Sequence, residues 1–217
     1  MSFFNCNLAG SAGGGAEVIY NYLIINKVIQ TTAIDRTTID VDLSNELAEY
    51  PDVRNDNIYV EIVQGGLNAT QAMSRTINLT HDYNSESKVL TLKSNLKYAP
   101  YATIVDTSIE LNIVVTGISN RVTNGATSII PFDVEPHGSY IEIDISNERD
   151  DYKSLSIDNL YVHFTDLRYY SSAESGAKFT ISYEYDNVTG IIKATTSAGN
   201  VMFAVTDNIK GSVIVVR

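Results

Sequence analysis

Apolar and polar positions alternate with a period of two along much of this chain, and one alternating stretch occurs twice. Ile39, Val41 and Leu43 interleave with Asp40 and Asp42; Ile141, Ile143 and Ile145 interleave with Glu142 and Asp144 in the second copy. A period of two puts the branched residues on one face and the acids on the other, the pattern of a half-buried strand, whereas a helix would set Asp40 and Asp42 about 200° apart. Ser44-Asn45-Glu46 and Ser146-Asn147-Glu148 end both copies with turn formers. The same displacement carries Tyr50 onto Tyr152 and Asp56-Asn57-Ile58-Tyr59-Val60 onto Asp158-Asn159-Leu160-Tyr161-Val162. The chain therefore reads as an internal tandem repeat.

Further strand patterns follow in the same order in each copy. In the first they are the apolar run Val18 to Ile29, Asn57 to Gln64, Arg75 to His81 with a turn over Asp82 to Ser87 and a return at Lys88 to Leu92, and the alternating Ile109, Leu111, Ile113 and Val115. In the second, Phe179 and Ile181 to Tyr185, the turn Asp186 to Gly190, Ile191-Ile192 and Ser212 to Val216 answer them. About seven short strands per copy, with no convincing amphipathic helix, predict an all-β chain of two tandem immunoglobulin-like or jelly-roll β-sandwich domains. The expected divisions are a Gly-rich N-terminal anchor over 1–16, a first sandwich over 17–117, a linker over 118–127 and a second sandwich over 128–217. So short a linker predicts a stiff pair.

Composition narrows the possible roles. The 217 residues suit two units of common domain size, and the wealth of Ile, Val, Thr and Tyr favours strands. A formal charge of −11 argues against wrapping nucleic acid, which needs clustered Lys and Arg. No run approaches the roughly 18 apolar residues of a membrane span. Met1 to Leu8 has neither a basic n-region nor a long apolar h-region, so synthesis in the cytoplasm without a secretory signal is expected. Cys6 is the sole cysteine, which excludes an internal disulfide.

Candidate chemistry is sparse. His81, His137 and His163 show no metal-ligand spacing, and His163 takes the place of Glu61 at a position that alternation assigns to solvent. The acid pairs Asp40/Asp42 and Glu142/Asp144 point the same way from a strand, whereas a glycosidase needs its carboxyls facing across a cleft. The acidic loop Glu148 to Asp151 lacks the ligand pattern of a calcium loop. Gly13-Gly14-Gly15 follows no strand and opens no helix, so it is no phosphate cradle. No catalytic, cofactor or metal residue is assigned, and the chain is expected not to be an enzyme. Binding is expected elsewhere: Phe3 and Phe4 form an apolar tip on the Gly10 to Ala16 tether, and Arg168, Tyr169 and Tyr170 lie in a stretch, Asp166 to Ser172, read as an aromatic loop for a protein or a glycan.

An acidic β chain with a Phe-tipped, Gly-rich start and tandem sandwich units resembles the virion accessory proteins of tailed bacteriophages: capsid auxiliary or decoration proteins, head fibres and tail proteins with immunoglobulin-like modules. The resemblance implies a non-enzymatic structural role in a virion, in multiple copies beside other capsid or tail proteins, without nucleic acid, membrane or cofactor. A glycan-binding or host-adhesion module is the alternative it leaves open.

Overall fold

The computed structural model describes residues 21–30, 37–67, 73–95, 108–118, 127–171, 177–196, 201–203 and 208–217. The first repeat supplies β1 (Asn21–Gln30), β2 (Thr38–Asp42), β3 (Ile58–Leu67), β4 (Met73–Asn84), β5 (Val89–Ser94) and β6 (Ser108–Ile118). The second supplies β7 (Thr127–Val134), β8 (Tyr140–Asp144), β9 (Leu160–Ser171), β10 (Ala177–Asp186), β11 (Ile191–Thr196), β12 (Val201–Phe203) and β13 (Ile209–Val216). The described helices are single 3-10 turns, so the fold is all-β, with antiparallel pairing throughout.

Local chemistry is duplicated wherever the sequence repeats. The Asp42 carboxylate accepts the Ser44 N–H at 2.8 Å and Asp144 accepts the Ser146 N–H at 2.8 Å, closing the same turn after β2 and β8. The Asn57 side chain accepts the Arg54 N–H, and Asn159 accepts the Ser156 N–H, fixing the 3-10 turn that leads into β3 and into β9. The β4–β5 hairpin ends on Lys88 at φ +56° and the β10–β11 hairpin on Gly190 at φ +78°. Lys88 and Gly190 then receive the N–H of Leu43 and of Ile145 on their carbonyls. Only the second copy forbids a side chain there, because a Cβ on Gly190 would lie 2.8 Å from the Cβ of Ser146 and 3.0 Å from the Tyr152 ring.

Both sheets run through both repeats. One has the order β1-β6-β3-β10-β11-β8, the other β2-β5-β4-β9-β13-β7, with β12 added to β9. Replacing each strand of the first order by its repeat equivalent gives the second order read backwards, so the topology has an approximate two-fold symmetry. The joints are β3 with β10, over Gln64 to Leu67, and β4 with β9, over Met73 to Asn78. Hence the boundary near 118–127 separates the repeats in sequence but not in the sheets; its residues 119–126 lie outside the described residues.

One apolar cluster fills the space between the sheets and draws on both repeats, from Ile39, Leu90 and Leu111 to Ile143, Val162 and Ile192. A second cluster lies on the opposite face of β6 and β13: Val114, Ile214 and Val216 are buried there, with Tyr22, Ile24, Tyr59 and Tyr161 against them. These two strands are thus covered on both faces, and their runs Ile113-Val114-Val115-Thr116 and Val213-Ile214-Val215-Val216 are buried without a break.

A continuous core predicts shared cooperativity. Ile39→Asp and Ile143→Asp, each placing a charge among fully buried side chains, should cost several kcal/mol and unfold both repeats in one calorimetric transition. Two separated transitions in either variant would show that the repeats melt independently. Gly190→Ala should lower the melting temperature while Lys88→Ala leaves it nearly unchanged, a contrast that thermal melts followed by circular dichroism can read.

Candidate functional site

The repeats meet where β3 and β9 lie side by side around the approximate two-fold axis. β3 is paired with β6 over Ile58 to Gln64 and turns to β10 only from Gln64 onward; β9 is paired with β13 over Leu160 to Asp166 and turns to β4 from Asp166 onward. A bulge marks each change of partner, leaving Val63 unpaired on β3 and Thr165 on β9. A bulge adds twist and shifts the facing of later residues by one, so the inward set Leu160, Val162, Phe164 continues at Leu167.

Before the bulges, each strand has an edge that is in no ladder among the described residues, and side chains reach across from the other strand instead. The Glu61 carboxylate accepts the Val162 N–H at 2.9 Å through one oxygen and the Asn112 side-chain N–H at 2.7 Å through the other. The His163 Nδ1 lies 3.1 Å from the Val60 nitrogen and 2.9 Å from its carbonyl oxygen, so either neutral tautomer finds a partner there. Glu61 and His163 occupy equivalent positions, as do Val60 and Val162. Each repeat therefore sends the same position across to the other's backbone. The His163 ring also meets Tyr59 and His81 edge-on, at 5.8 and 5.9 Å between centroids.

Burial sets the protonation of this cluster. Glu61 is 5% exposed, and loss of water pushes its carboxyl up to about 7 despite the two hydrogen bonds it accepts. The same cause brings His163 down to about 4, and His81 is shifted down as well. The phenol of Tyr183, which donates to the Ile62 carbonyl at 3.2 Å, is raised far above its ordinary range by burial. Alternation assigned Glu61 and His163 to solvent; they are instead covered because the outward faces of β3 and β9 meet each other. The cleft between Val60, Leu79, His81, His163 and Phe164 has about 10 Å³ of free volume, room for one water at most, so the cluster reads as a structural lock.

The other sequence-predicted residues fall as follows. Phe3 and Phe4 lie outside the described residues. Arg168, Tyr169 and Tyr170 stand in β9, hydrogen-bonded to β4, with Tyr169 and Tyr170 also paired to β12; the stretch 166–171, expected as a loop, is strand because the neighbouring repeat supplies it with a partner. The acids of β2 and β8 are exposed, and Asp40 accepts the Thr91 hydroxyl at 2.7 Å. In the acidic loop, Asp151 is bound by Arg149 at 2.8 Å and by Arg217 at 2.5 Å, and those hydrogen bonds and charges hold its carboxyl below the usual range. Among the described residues no group of three His, Cys, Asp or Glu could hold a metal ion, and no helix is long and apolar enough to cross a membrane. In comparisons with family models, curated proteins and solved structures, none matches this chain.

The pH dependence of stability tests the lock. Glu61, with its folded pKa raised, contributes stability that is fully present below about 4.5 and is lost as the pH rises to about 7. His163, with its folded pKa lowered, contributes stability that is fully present above about 6.5 and is lost as the pH falls to about 4. The two contributions oppose each other across that window, each on the order of 3 kcal/mol, and His81 adds a smaller effect of the same sign as His163. Glu61→Gln should therefore make stability fall steeply as the pH drops from 6.5 to 4, and His163→Asn should make it fall as the pH rises from 4.5 to 7. Urea melts across that range check both; curves parallel to the parent's would refute the assignment.

Proposed function

We propose that this chain is a non-enzymatic structural component of a virion, a capsid auxiliary or decoration protein of a tailed phage that attaches by surface contacts and an N-terminal tether. The observation that carries the reading is the fusion of two repeats into one body through shared sheets. Such a body keeps its surfaces in fixed relation and presents the same hairpins twice, once from β4–β5 and once from β10–β11, which suits contact with a repetitive shell. The acidic, solvated faces of β2 and β8 support solubility before assembly. The immunoglobulin-like or jelly-roll character of each half belongs to the same reading. The adhesive alternative loses its motivating loop, since Tyr169 and Tyr170 stand in a paired strand.

Particles purified from cells that make the protein are expected to carry it in fixed stoichiometry. A form beginning at Glu17, and the double variant Phe3→Ala/Phe4→Ala, should fold with unchanged melting temperature and be lost from the particle. Each phenylalanine gains roughly 1.5–3 kcal/mol on full burial, enough for a two-residue anchor to decide attachment. Full incorporation of the truncated form would remove the anchor from the proposal; finding the intact chain only as free protein would end the proposal itself.

A further inference from the structure

We draw no further inference here: the strongest candidate, the pair of repeat-equivalent outer sheet faces on β2-β5-β4 and β8-β11-β10, where Asp40, Thr91 and Asp82 stand in one row and Glu142, Lys193 and Glu184 in its counterpart, is an acidic cluster on each side, and nothing in the structure shows what covers it.

Discussion

The crossing of Glu61 and His163 between β3 and β9 is the constraint on which the rest of the architecture depends. Before their bulges, both strands have one edge bonded to β6 or β13 and another turned toward the other repeat. Backbone groups on that second edge are out of reach of water, and an unpaired buried N–H costs as much as a lost hydrogen bond. A continuous ladder cannot satisfy them, since β10 and β4 join only beyond the bulges. Side chains from the equivalent position of each repeat do so instead, and the outer faces can then close over Val114, Ile214 and Val216.

Fusion of two repeats in one chain lets equivalent positions differ, and the differences at the axis are complementary. Two identical acids there would be two buried like charges, costly unless one stayed protonated. A glutamate on one side and a histidine on the other can both be neutral, each with a backbone partner. The proton bookkeeping follows: between about 4.5 and 6.5 the folded pair holds one proton on Glu61, and the unfolded pair holds one on His163, so folding exchanges the site of the proton without changing the count. Volume is exchanged in the same way. Leu111 of β6 is matched in β13 by Gly211, where a Cβ would collide with the His163 carbonyl, and the space is filled by Phe132 and Phe164, stacked edge-on at 5.9 Å.

Much of each repeat was legible from residues close in sequence. The signature strands, the Asp-x-Ser turns after them, the Asn57 and Asn159 turns and both hairpins are local devices, and each left a local pattern. The joining of the repeats was not, because β3–β10 and β4–β9 pairing depends on partners far apart in the chain and no alternation names them. Alternation assigns Glu61 and His163 to solvent, and that assignment holds only while the outer face of a strand is free. The signal that it was not free lay in Val114 and in the unbroken run Val213 to Val216, since a strand with no polar residue on either face is covered on both. The stretch 166–171 read as a loop for a related reason: its strand character is supplied by β4 and β12, not by its own pattern.

In a fold of two fused copies, features held in common and features held by one copy alone answer different questions. Turns, caps and the inward set recur because either half needs them to close. The outermost strands do differ: β7 carries Pro131 and Asp133 at the positions where β1 carries Asn26 and Val28. The approximate two-fold symmetry sets the frame, and positions that depart from it, Glu61 against His163 and Leu111 against Gly211, fit the two halves to each other.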